Sequence, residues 1–462
     1  MKTLPDARAD AQAIFRAAVA RVDPIPMIER ALSIVAGPSG PVLKAANDME
    51  ELRYQLSDFD RIYATGMGKA TARMARGLEQ VLGPRLAGGL IAVKEGHTEA
   101  LSTIRLMEAG HPLPNEGSIA AARAILDLGA SMGTELTARD LIIVLVSGGG
   151  SSILCAPADG LSLDDKIATT SLLLASGATI NEINCVRKHL SAVKGGRLAA
   201  ALAPATVLTL VLSDVIGDDL DAIASGPTVP DTTSFADALA ICDRYGITGR
   251  LPELVAARLR SGAAHTAGAP AETPKPEDAT FDRARTLLVG TNRLALAAAE
   301  AEAKNRGYGT LVLSSHITGE SREIALVYLG IGKDIVASAL PLGRPACVIA
   351  GGETTVTLKG SGLGGRNQEM ALAFLAALGR SPKNTGGLVF LSAGTDGNDG
   401  PTDAAGAIVD AQLLETARAA LLNPDSALRD NDSYTFFAEA GGLVMTGPTN
   451  TNVCDIQVLI SI

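Results

Sequence analysis

The segment RIYATGMGKATARMARGLEQVL, residues 61–82, decides the fold. A short apolar run at 61–65 stops at Gly66 and Gly68, and Lys69 leads directly into a helical pattern over 70–82. Strand, glycine turn and helix form the opening unit of a doubly wound α/β sheet, in which ligands collect beyond the carboxyl ends of the strands. Outward from it, apolar runs at 89–93, 141–146 and 206–212 alternate with helical patterns such as 116–128, so a parallel sheet buried under helices is expected. We take residues 1–260 as this first domain. Residues 261–282, with Pro270, Pro274 and Pro276, read as a linker or long crossover. A second α/β domain is expected over 283–462, with strands at 286–289, 310–313, 346–350 and 388–392 and helices at 293–305, 322–339 and 367–378.

Composition narrows the function. Of 462 residues 47% are hydrophobic and 19% charged, so the chain can bury sizeable cores and is not disordered. The net charge of −10 leaves no basic footprint for nucleic acid or an anionic membrane, and an anionic substrate would need local cations. With no Trp and 3% aromatics, platforms for stacked bases are scarce. Five cysteines without a C-x-x-C pair read as buried thiols of a reducing cytoplasm. The longest uncharged run, 141–158, is interrupted by the Ser- and Gly-rich stretch 147–152 and cannot be a membrane helix. A small-molecule substrate remains; the oligomeric state stays open, a homo-oligomer being compatible with it.

The glycine-rich loops carry the chemistry. Gly66 and Gly68, with Lys69 at the helix start, make a candidate anion site, although a P-loop would need Ser or Thr where Ala70 stands and a dinucleotide fingerprint a third Gly where Thr71 stands. Ser147, Gly148, Gly149, Gly150 and Ser151 follow the run 141–146 and suit a phosphate cradle. In the second half, Gly364 and Gly365 precede Arg366, whose planar fork can hold two oxygens of a phosphoryl group. Asp396, Asp399 and Asp403 after the run 388–392, and Asp214 after 206–212, could hold Mg²⁺ or accept a hydroxyl proton. The five histidines form no zinc motif. Residues 187–197 form a basic cluster on an acidic protein, read either as a solvated helix face or as a site for a small acid.

In this order the segments resemble the class II glycerate kinase family, the one with a MOFRL C-terminal domain. The likeness rests on 66–70, 147–152, 187–196, 213–214, 225–228, 351–354, 364–369, 394–400 and 446–449 taken together. Asn450 departs from the glycine expected in the segment after Thr449, and Asn tolerates left-handed backbone. The resemblance implies an N-terminal Rossmann-like doubly wound parallel sheet, a C-terminal α/β domain and an active site in the interdomain cleft. It also implies ATP- and Mg²⁺-dependent phosphorylation of D-glycerate to 2-phosphoglycerate, with Lys69 and Arg366 as functional cations. Within that frame Asp396 is the first choice of proton acceptor, Asp214 and Asp399 are candidate metal ligands, and Arg187, Lys188, Lys194, Glu353 and Asn367 candidate substrate contacts. Two rivals stand beside it. An NAD(P)H-dependent hydroxypyruvate reductase is opposed by the broken fingerprint, with Glu95 available as a ribose-binding acid. A non-catalytic small-acid-binding protein is opposed by the clustered acids, since pure anion binding gains nothing from nearby carboxylates.

Overall fold

The computed structural model describes residues 2–265 and 267–462; Met1 and Thr266, the first within the expected first domain and the second within the expected linker, lie outside the described residues. The chain divides into two units, Pro24–Val289 and Met1–Asp23 with Gly290–Ile462. The two α/β domains are therefore present, but their limits differ from those expected.

In Pro24–Val289, six strands stand in the order Ile104–Ala109, Leu86–Lys94, Arg61–Met67, Asp140–Val146, Thr206–Leu212, Ala284–Gly290. Numbered along the chain this is 3-2-1-4-5-6, the order of a dinucleotide-type doubly wound sheet. The central strand Asp140–Val146 is buried at every position, as a strand covered on both faces must be. It pairs in parallel with Arg61–Met67, Gly66 opposite Leu145 and Met67 opposite Val146. The order reverses between these two strands, so the loops leaving Met67 and Val146 open the crevice where α/β sheets bind ligands. A three-stranded antiparallel sheet, Leu32–Gly37, Gly40–Ala46 and Glu51–Gln55, precedes this core. A helical layer with its own apolar core is built from Leu163–Ala175, Ile180–His189, Phe235–Arg244 and Glu253–Ala263.

The strand expected at 286–289 to open the second domain is instead the edge strand Ala284–Gly290 of the first sheet. The expected linker 261–282 starts inside the helix Glu253–Ala263 and is tied to the same unit: Pro274 O accepts the Asp231 N–H at 2.9 Å and a Glu272 carboxylate oxygen accepts the Phe235 N–H at 2.9 Å. Proline lacks a donor but keeps its carbonyl, so a Pro-rich composition does not show whether the segment is used as an acceptor strap.

The second unit holds a mixed sheet in the order Gly309–Val312, Ala346–Gly352, Asp455–Ser461, Leu388–Gly394, Gly406–Asp410, Leu443–Val444. The last long strand, Asp455–Ser461, runs antiparallel between Ala346–Gly352 and Leu388–Gly394, placing Asp455 opposite both Gly352 and Gly394. Helix Ser321–Ser338 buries its apolar side in the core on this sheet, and Arg366–Arg380 is covered all round, buried at every position from Asn367 to Leu378. The amino-terminal helix Leu4–Arg21 belongs here rather than to the first domain, packed on Asn292–Asn305 and on the strands Leu388–Gly394 and Asp455–Ser461. Its anchor is Asp10, which receives Arg306 at 2.5 Å and the Tyr308 hydroxyl at 2.7 Å. No helix among the described residues is long and apolar enough to cross a membrane.

Candidate functional site

At the point where the strand order reverses, the glycines let two loops approach one another. A Cβ on Gly66 would meet Leu145 O at 2.2 Å, and one on Gly68 would meet Ser147 Oγ at 2.2 Å. The amides of the turn are used internally: Gly68 N–H donates to Ala92 O, Lys69 N–H to Gly148 O, and Ala70 N–H to Ser147 Oγ at 3.1 Å. Thr71, standing where a fingerprint would have its third glycine, is buried with its hydroxyl 3.1 Å from Ser147 Oγ. The Gly66–Lys69 turn thus offers the Lys69 side chain rather than its backbone amides.

Asp214 lies against Gly148 so closely that a Cβ there would fall 2.0 Å from Asp214 Oδ2. Burial raises the pKa of this carboxyl above the ordinary range and the Lys69 charge opposes the rise. A Cβ on Gly149 would meet the His111 ring at 2.8 Å and Lys69 Cγ at 3.3 Å, so lysine, aspartate and histidine converge on residues 148–149. His111 was not singled out from the sequence, yet it follows the strand Ile104–Ala109 at its carboxyl end, where site residues collect. Burial and the nearby Lys69, Lys94 and His97 push its pKa down to about 4, leaving it neutral at pH 7.

Further along the same loop, Ser151 Oγ receives Arg187 Nη2 at 2.6 Å and Lys194 Nζ at 2.7 Å. Lys188 is not part of this group. Buried at 1% exposure, it is held by Asp231 at 2.7 Å and Asp221 at 2.8 Å, two carboxylates whose charge outweighs its burial and raises its pKa. Its three N–H donors are all spent on these carboxylate oxygens, so none is left for a substrate. Lys188→Met is expected to destabilise the unit by about 3 kcal/mol, because Asp231 is left buried and uncompensated, while KM values stay unchanged; urea unfolding and steady-state kinetics check the two halves.

In the second unit Arg366 is gripped by carboxylates. Nε donates to Asp455 Oδ2 at 2.6 Å, Nη2 to Asp455 Oδ1 at 2.9 Å, and Nη1 pairs with Glu353 at 2.7 Å. Asp455, fully buried, escaped the sequence reading because it starts a strand that runs against its neighbours and so reaches the carboxyl ends from the other side. Asp396 is half-buried after Leu388–Gly394, with Oδ1 accepting the Asn398 N–H at 3.2 Å and lying 3.2 Å from where a Cβ on Gly394 would stand.

Asp399 is committed to the fold. Its two oxygens accept the Asn367 N–H at 3.0 Å and the Gln368 N–H at 2.8 Å, capping the helix Arg366–Arg380. Gly365 is needed because a Cβ there would lie 2.3 Å from the Asp399 carboxyl carbon, and Gly364 because one would lie 2.1 Å from Ser433 Oγ. Asn367 is equally engaged, donating to Asp399 and accepting from Ser392 Oγ at 2.6 Å. These residues shape the helix start rather than present free groups.

Burial pushes the Asp399 carboxyl up to about 6 despite the amides it accepts. Since the folded pKa lies above the unfolded one, its stabilisation is complete below about pH 4 and is lost as pH rises through about 6, a difference of about 2–3 kcal/mol. Asp399→Asn is expected to remove this part of the pH dependence, read as the difference between variant and wild-type urea midpoints from pH 4 to pH 7.

Two family descriptions match the chain: a domain of unknown function, DUF4147, over residues 10–260, and the MOFRL family over residues 346–455. D-glycerate 2-kinase of Thermotoga maritima is 41% identical over 402 residues, 87% of this chain and 91% of that protein. A protein of Agrobacterium vitis provisionally named hydroxypyruvate reductase is 43% identical over 402 residues, 87% of each chain. The crystal structure of glycerate kinase (EC 2.7.1.31) from Thermotoga maritima superposes with a TM-score of 0.85 at 37% identity, covering 99% of both chains.

Proposed function

Because the chain belongs to the class II glycerate kinase family, we propose that it transfers the γ-phosphoryl group of ATP to the 2-hydroxyl of D-glycerate, giving ADP and 2-phosphoglycerate. The observation that carries this reading is the convergence of Asp214 on Gly148 and of Lys69 on Gly149 at the reversal of the parallel sheet, close enough for the Lys69 charge to act on the Asp214 carboxyl. A carboxylate of raised pKa is a better proton acceptor than an ordinary one, and a lysine beside it offsets charge on the transferring group. Asp214 therefore takes the hydroxyl proton, and Asp396 takes the place beside the metal, an exchange of the roles assigned from sequence. Among the described residues no three His, Cys, Asp or Glu side chains are grouped to hold a metal ion, which fits Mg²⁺ carried by the nucleotide's phosphates with one protein carboxylate. When bound, Mg²⁺ neutralises phosphate charge. Arg366 is held by Asp455 through Nε and Nη2 and by Glu353 through Nη1, and with the two N–H donors that remain on its terminal nitrogens it keeps the role of a phosphoryl-binding cation.

The reductase alternative is disfavoured by the turn itself, whose amides are occupied and whose third glycine is a buried threonine. The five cysteines are all buried, in keeping with the cytoplasmic location we assign. The test is purified protein with D-glycerate, ATP and Mg²⁺, following ADP release. Glycerate-dependent ADP is expected; NAD(P)H oxidation with hydroxypyruvate and no ADP would overturn the assignment.

A further inference from the structure

Three cations gather in Pro24–Val289 without a carboxylate among them, the buried Cys155 thiol being the acidic side chain that lies beside all three. Lys194 Nζ donates to Ser151 O at 2.8 Å and to Ser151 Oγ at 2.7 Å; Arg187 Nη2 donates to Ser151 Oγ at 2.6 Å; Lys166 Nζ donates to Ala156 O at 3.3 Å. Every one of these acceptors is neutral. Among the described residues no ion pair engages any of the three, in contrast to Lys188 one residue from Arg187, which has two carboxylates. Lys166 and Lys194 are buried, while Arg187 and Ser151 are half-buried and are the members a ligand can reach. Burial lowers the pKa of Lys194, and Arg187 and Lys166 lower it further by like charge. The backbone around it is also held out of its easy conformations: Ala224 and Ser225 adopt φ of 51° and 61°, which brings Ser225 Oγ within 3.0 Å of both Ser151 Oγ and Asn184 Oδ1.

Buried like charges without a carboxylate to offset them are unfavourable, and a fold keeps them where an anion arrives to share them. We propose that Arg187 and Ser151 bind the carboxylate of the acceptor, with Lys194 and Lys166 behind them as positioning residues. This rests on the glycerate kinase reading and deepens it: the enzyme takes short 2-hydroxy acids with a free carboxylate and rejects neutral analogues such as glyceramide. A carboxylate fits better than a nucleotide phosphate, because the accessible members are one guanidinium and one hydroxyl, which suit one small anion rather than a chain of phosphates. Ser151 stands three residues after Gly148 on one turn, so an acid held there can present its hydroxyl towards Asp214. Lys166 was invisible in the sequence, lying in a helix whose first turn also holds Asp164 and Asp165.

The test compares wild type, Arg187→Gln and Lys166→Met by kinetics and by thermal unfolding with D-glycerate alone, glyceramide or inorganic phosphate. Arg187→Gln is expected to raise KM for D-glycerate about ten- to a hundredfold with KM for ATP within about twofold, since one charge-assisted pair is lost. D-glycerate, but neither glyceramide nor inorganic phosphate, should raise the wild-type Tm, and Arg187→Gln should abolish that shift. Lys166→Met should raise the ligand-free Tm while shrinking the D-glycerate shift, a combination that a merely structural lysine would not give. An unchanged KM for D-glycerate, a KM for ATP that moves as much, or equal protection by phosphate would each overturn the proposal. Because the thermal arms need no turnover, they judge the pocket even if wild type makes no phosphoglycerate, a result that would strike the kinase reading alone.

Discussion

Asp214→Asn lowers kcat about a hundred- to ten-thousandfold, with the KM values for glycerate and ATP little changed, if this carboxylate accepts the hydroxyl proton. Asparagine keeps the shape that lies against Gly148 while removing the base, so folding and binding should survive. The pH profile supplies the sign. The base works ionised, and burial raises the Asp214 pKa, so the acid limb of kcat should stand at higher pH than an exposed carboxylate would give, and should vanish in the variant. Lys69 opposes that rise, so Lys69→Met should move the limb to still higher pH as well as reduce the rate. Wild-type kcat in Asp214→Asn would return the proton-accepting role to Asp396.

Arg366→Lys should be nearly as damaging, for a different reason. The guanidinium engages Asp455 with two parallel hydrogen bonds and Glu353 with a third group, a geometry that a single ammonium cannot reproduce. A loss of about a hundredfold or more in kcat is expected if the remaining N–H donors of the guanidinium are what holds the phosphoryl group. A stability cost of about 2 kcal/mol is expected because Asp455, fully buried, keeps only part of its compensation; the half-exposed arginine sets this below the loss of a wholly buried pair. Steady-state kinetics and urea unfolding separate the two effects. Full activity in a destabilised Arg366→Lys protein would make the arginine a structural clamp on Asp455.

Residues 61–82 were enough to read the sheet, because a strand, a glycine turn and a helix in immediate succession admit few topologies. The strand at 206–212 also agrees with the residues that form it. What the sequence could not show was who receives each charge. Arg187, Lys188 and Lys194 look alike in a basic run, and only the fold reveals that Lys188 faces Asp221 and Asp231 while its neighbours face Ser151. Asp399 carries the same side chain as Asp396, yet one caps a helix and the other stands half-exposed after its strand. The domain limits were missed because a first helix and a sixth strand join sheets that are remote in sequence, a matter of tertiary packing that local pattern does not encode.

The central claim is phosphoryl transfer to the hydroxyl beside the carboxylate, and proton-coupled phosphorus NMR of the product mixture tests it directly. With D-glycerate, ATP and Mg²⁺, a new phosphomonoester resonance split by the single proton on C2 is expected, growing as ADP accumulates. A resonance split by the two protons of C3, or no phosphomonoester while hydroxypyruvate consumes NAD(P)H, would contradict it.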